Sequence, residues 1–139
     1  MKKKIKLFDP AIGKEEEKSI IRTLKSRSWA SGSGEGHVQE FENKFKSYVN
    51  SCDCIAVNSG TAALNLALSL IDIKNKEVIL PSLSFVSTAH AILVNGGKPV
   101  FVDIEPETLC LSLNDVQKSI TTKTVAVVPV HFGGMPCDL

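Results

Sequence analysis

Two rhythms of apolar residues divide the chain. Between residues 14 and 49 apolar positions recur at helical spacing, and from residue 54 onward short continuous apolar runs alternate with helical stretches. Residues 14–27, KEEEKSIIRTLKSR, open on Glu15, Glu16 and Glu17 and close on Lys25 and Arg27. That charge order suits a helix dipole and predicts a helix. A glycine- and serine-rich loop, SWASGSGEG, follows over 28–36. Its glycines have the wrong spacing for a dinucleotide fingerprint and follow a helix rather than a strand. Residues 37–49, HVQEFENKFKSYV, predict a second helix with Val38, Phe41, Phe45 and Val49 on one stripe, read as core packing. Glu40–Lys44 and Glu42–Lys46 are spaced as i,i+4 pairs on its exposed faces.

Beyond residue 54 the pattern predicts strands at 54–57, 77–80, 99–102 and 124–130, with helices at 60–71, 84–94 and 113–119 between them. The strand runs lack polar alternation, as expected for a parallel sheet covered on both faces. Right-handed crossovers then make the fold α/β, a mostly parallel sheet flanked by helices. The end of the chain, Gly133-Gly134-Met135-Pro136-Cys137-Asp138-Leu139, resembles a loop arriving at a helix start. It is therefore expected to belong to a longer, truncated domain with part of the sheet uncovered.

Composition narrows the classes. Sixteen Lys+Arg against fifteen Asp+Glu leaves no field that would draw nucleic acid or membrane. Met1-Lys2-Lys3-Lys4 is basic, but Ile5-Lys6-Leu7-Phe8-Asp9-Pro10 interrupts any signal-type apolar region, so the expected location is cytoplasmic. No apolar run reaches membrane-spanning length. Cys52-Asp53-Cys54 is C-x-C rather than C-x-x-C, and Cys110 and Cys137 lie far away. All four are expected to be reduced structural thiols, with no metal site.

In a parallel sheet, loops leaving the strands share one carboxyl edge, where ligands bind. Four loops are predicted there: Asn58-Ser59-Gly60-Thr61, Pro81-Ser82-Leu83-Ser84-Phe85, Asp103-Ile104-Glu105-Pro106 and His131-Phe132-Gly133-Gly134. The first fits two readings. It is either a capped helix or a phosphate site, with Gly60 admitting close approach, Thr61 donating a hydroxyl, and Ala62 and Ala63 keeping the mouth narrow. Phe85 is either a core aromatic or a cover for a flat heterocycle. Asp103 and Glu105 are available for acid–base work but also read as a plain turn. His131 is a candidate by position or a structural histidine.

Together, "VNSGTAALNLAL", "EVILPSLSFVSTAHAILVNGGKPVFVDIEPETL" and "AVVPVHFGG" resemble the DegT/DnrJ/EryC1/StrS family of pyridoxal-phosphate-dependent sugar aminotransferases. "FENKFKSYV" and the loop with Trp29 match the segment preceding these motifs, so the resemblance spans nearly the whole chain. It implies a type I aminotransferase fold and a homodimer. The implied reaction moves an amino group, commonly from glutamate, to a keto group on a nucleotide-linked sugar for amino-sugar and polysaccharide biosynthesis. Residues 1–36 would be an N-terminal helix and loop, and 37–139 the first part of the domain that binds pyridoxal 5'-phosphate. By the same resemblance Gly60, Thr61 and Ala62 match the cofactor-phosphate position, and Phe85 the aromatic stacked on the pyridine ring. The family's Schiff-base lysine and the carboxylate facing the pyridine nitrogen correspond to no motif here. The resemblance therefore implies no catalytic residue in this chain and an inactive fragment on its own. A non-catalytic module that binds a phosphate ligand on the same fold is the alternative.

Overall fold

The computed structural model describes residues 6, 8–27, 29 and 36–139. The basic start and most of the glycine- and serine-rich loop lie outside the described residues. The chain separates into two compact units, Met1–Ala56 and Val57–Leu139.

The first unit carries helix α1 (Lys14–Ser26) and helix α2 (His37–Val49). The first turn of α1 is acidic, and the Glu16 carboxylate accepts the Gly13 N–H at 2.7 Å, occupying one otherwise free donor. Asn50 ends α2 in the left-handed region, which asparagine tolerates. Phe41 and Phe45 stack with centroids 5.8 Å apart. However, the predicted core stripe is not buried: Phe41, Phe45 and Val49 keep roughly half their surface, and neither helix has a buried residue. An apolar stripe is covered only where another element lies against it, a condition outside the helix's own sequence. Of the two predicted ion pairs, Lys44 reaches Glu40 at 2.6 Å. Glu42 instead accepts the Ala56 N–H at 2.8 Å, and Lys46 turns to Asp53 at 3.8 Å.

That Ala56 contact bears on the next difference. Residues 54–57, predicted as a strand, form no ladder. Apolar content does not make a strand without a neighbouring backbone, and here a side-chain carboxylate takes the Ala56 donor.

The second unit runs through helix α3 (Gly60–Ser69), strand β1 (Glu77–Pro81), helix α4 (Val86–Val94), strand β2 (Lys98–Val102), helix α5 (Leu113–Ser119) and strand β3 (Thr124–Val127). The sheet order is β2-β1-β3, and both pairings are parallel. All five residues of the central strand are buried. Val78 and Leu80 join Leu68, Ile73, Ala91 and Ile92 on the face covered by α3 and α4. Ile79 points the other way, packing with Val102 and Val116 of α5. Each such side chain contributes about 1.5–3 kcal/mol of burial.

The edge strands are only partly covered, as expected for β3 and unlike the coverage of both faces expected for β2. Phe101 of β2 and Val125 and Val127 of β3 remain exposed. A bulge near Val125, between the Glu77↔Thr124 and Val78↔Ala126 pairs, sets the face of β3. The ladder runs on to Val128, whose N–H donates to Ile79 O at 2.8 Å, and Pro129, lacking an N–H, cannot extend it. This is why β3 is shorter than the apolar run 124–130.

At the opposite, amino end of the sheet, Glu77 fastens the strand starts. Its carboxylate accepts the Thr121 hydroxyl at 2.7 Å and the Lys98 ammonium at 3.1 Å. The Thr121 hydroxyl, then Lys98, hold its pKa below the ordinary 4.5.

Candidate functional site

Helix α3 begins at Gly60 because Ser59, extended at φ −164° and ψ 158°, caps it. The Ser59 Oγ accepts the Ala62 N–H at 3.1 Å, and its carbonyl accepts the Ala63 N–H at 3.0 Å. The N–H groups of Gly60 and Thr61 and the Thr61 hydroxyl have no partner among the described residues. Three donors without a partner among the described residues therefore belong to the first two residues of the helix, at the positive end of its dipole. Ala62 spends its donor on the cap and offers the site only a small side chain.

Local packing does not account for the glycine at 60. A Cβ there would meet nothing within 4 Å, and its φ is not positive. By contrast, a Cβ on Gly97 would lie 2.9 Å from Ile92 Cγ2 and 3.1 Å from Ile73 Cδ1. Gly97 is required by the core, whereas Gly60 leaves open space for an approaching group. A phosphate, with several acceptor oxygens and negative charge, suits these donors and this space.

Helices α3 and α4 pack together on one face of the sheet. Asn95, at the end of α4, donates to the Asn65 Oδ1 at 2.7 Å. Phe85 is predicted within the first turn of α4 but stands one position before it, as its extended N-cap residue. Its carbonyl accepts the Thr88 N–H at 3.0 Å, while its side chain is 73% exposed. The core-aromatic reading is thereby excluded within this chain, and the ring is free to lie against a flat ligand.

The other carboxyl-edge residues are more constrained. Asp103 caps its own turn, accepting the Ile104 N–H at 2.8 Å, and Ile104 bridges to Leu111. The segment 105–109 is a turn closed by the Leu109 N–H on Glu105 O at 2.8 Å. His131 Nδ1 accepts the Cys137 N–H at 3.0 Å, which leaves Nε2 to carry the proton of the neutral ring. Gly133 and Gly134, at φ +62° and +86°, form the turn between them. The sequence does not signal this His131–Cys137 closure, because its partners are joined through a glycine turn rather than a regular element.

An open parallel sheet flanked by helices defines an α/β fold, and this one also carries a helix start with free donors. The profile of the DegT/DnrJ/EryC1/StrS aminotransferase family matches residues 10–139, and the chain belongs to that family.

The chain is 45% identical over 131 residues to the spore coat polysaccharide biosynthesis protein SpsC of Bacillus subtilis, covering 94% of this chain and 33% of that protein. It is 37% identical to GDP-perosamine synthase of Escherichia coli O157:H7, covering 99% of this chain and 37% of the relative. Among solved structures, NtdA of Bacillus subtilis with bound cofactor PMP superimposes with a TM-score of 0.75 at 32% identity, covering 87% of this chain and 28% of that one. The chain thus spans about a third of the length of the curated relatives it matches. Among the described residues, no helix is long and apolar enough to cross a membrane.

Proposed function

We propose that these residues are the N-terminal part of a pyridoxal-phosphate-dependent aminotransferase acting on a nucleotide-linked keto sugar. The observation that carries this reading is the helix start at Gly60 and Thr61, with three donors unpartnered among the described residues and open space beside Gly60. The Gly60 and Thr61 N–H groups and the Thr61 hydroxyl bind the cofactor phosphate, Ala62 leaves room beside it, and Phe85 covers the ring. The group supplies, when bound, the electrophilic carbon and electron-withdrawing ring that amino transfer needs. The residues of this chain bind and orient it and shield one face from water. They hold no proton of the reaction in this proposal.

The nucleotide-sugar substrate is supported by the relatives' names, and the link to surface polysaccharide by that of the spore coat protein. Glutamate as donor and a homodimer are supported by family resemblance.

Calorimetric titration with pyridoxal phosphate and with pyridoxal tests the pocket. The phosphorylated form should bind more tightly. Thr61→Val removes one hydroxyl donor to a charged group, expected to cost about 1.5–3 kcal/mol of that binding. Phe85→Ala should weaken both ligands through lost stacking area. Unchanged affinity in both variants would place the cofactor elsewhere.

A further inference from the structure

Helices α3 and α4 each carry one arm of the pocket proposed above. Helix α3 opens on the donors of Gly60 and Thr61, and α4 is preceded by Phe85. The packing between the two helices is largely apolar, through residues such as Leu64, Leu68 and Ala91. Burial of apolar surface is non-directional. It draws the helices together without by itself fixing how far one is shifted along the other.

One polar link joins them. Asn95, the residue that ends α4, donates from Nδ2 to Asn65 Oδ1 at 2.7 Å, with Ala91 O at 2.9 Å and Asn65 O at 3.2 Å as further acceptors. Two backbone carbonyls among these acceptors fix which end of the Asn95 amide is the nitrogen. Among the described residues, no other hydrogen bond connects α3 to α4. Asn95 is itself anchored: its N–H donates to Ala91 O at 3.3 Å, Gly96 turns the chain at φ +78°, and Gly97 is packed against Ile92 and Ile73. Asn65 stands one turn beyond Ala62 on α3, and both border one shallow groove with Asn95.

We propose that Asn95 is a positioning residue for the cofactor site: through Asn65 it fixes the shift of α3 along α4, and so the separation of the phosphate donors from Phe85. The proposal rests on the reading of Gly60, Thr61 and Phe85 as the two arms of that site. A slide of α3 by one residue's rise, about 1.5 Å, carries the Gly60 and Thr61 donors the same distance relative to Phe85. A contact of 2.7 Å lengthened by that amount is no longer a hydrogen bond, so the Asn95–Asn65 link resists the slide. A ligand that must reach both arms at once feels such a shift, whereas a ligand that uses one arm does not.

The test titrates the wild type, Asn95→Ala, Asn65→Ala and the double variant with pyridoxal phosphate, with pyridoxal and with inorganic phosphate, followed by NMR at the Gly60 and Thr61 amides. Pyridoxal phosphate affinity is expected to fall about tenfold in Asn95→Ala. It should fall less in Asn65→Ala, which keeps both backbone acceptors and carries the test where Asn95→Ala is too unstable to fold. The double variant should lose no more than Asn95→Ala, because both changes cut one link. Pyridoxal and inorganic phosphate should each bind as they do to the wild type. Pyridoxal phosphate affinity unchanged in both single variants would overturn the proposal. So would equal weakening of all three ligands, the mark of a general structural loss, or losses that multiply in the double variant. A wild type that binds pyridoxal phosphate no more tightly than pyridoxal would instead refute the phosphate site itself, and this proposal with it.

Discussion

Two glycine-to-alanine substitutions in the second unit separate what the fold needs from what a ligand needs. In Gly97→Ala the new methyl would stand 2.9 Å from Ile92 Cγ2, 3.1 Å from Ile73 Cδ1 and 3.3 Å from Ile92 O. Ile92 and Ile73 are essentially fully buried, so neither side chain can swing into solvent. Overpacking of this kind costs about 1–3 kcal/mol. For a domain of this size each kcal/mol moves Tm by about 4–8 °C. Gly60→Ala meets nothing within 4 Å and replaces glycine at the start of a helix. Alanine there loses less conformational entropy, so stability should hold or rise by up to about 1 kcal/mol. Pyridoxal phosphate affinity should nevertheless fall, because the methyl occupies space in front of the Gly60 and Thr61 donors. Circular-dichroism melts and cofactor titration on both variants provide the readout. If Gly60→Ala lowers Tm as far as Gly97→Ala, or leaves cofactor affinity unchanged, the argument that Gly60 is kept for a ligand is refuted.

Further expectations follow from packing and charge. Leu80→Ala empties a fully buried position in the central strand and should cost about 2–5 kcal/mol by denaturant titration; a loss below 1 kcal/mol would mean the surrounding core collapses around it. Ser59→Ala removes the acceptor for the Ala62 N–H and should cost about 0.5–2 kcal/mol, checked by the same titration. Glu77 has a folded pKa below its ordinary 4.5, so its stabilising contribution is present above that value and is lost as pH falls through the lower folded pKa. Glu77→Gln should therefore flatten the acid limb of stability measured between neutral pH and pH about 3; an unchanged acid limb would remove Glu77 as its source.

The sequence by itself determined the elements whose signal is local. Helices α1, α2 and α5 and strands β1 and β2 fall within a residue or so of the predicted bounds, because apolar spacing and end charges act within a few positions. The donor-rich start of α3 was legible for the same reason, since Ser59-Gly60-Thr61 carries both cap and mouth. Tertiary structure decided what depends on neighbours distant in the chain. It left 54–57 without a strand partner, placed β1 between β2 and β3, and left Phe41 and Phe101 exposed where apolar character predicted burial. It committed the Ala62 donor to Ser59 and turned Phe85 outward. Cys110 and Cys137, unrelated by any spacing motif, line one cavity because the turns that carry them pack together. Periodicity specifies which face of an element is apolar; which backbone or side chain comes to cover that face is settled by long-range packing that no local window contains.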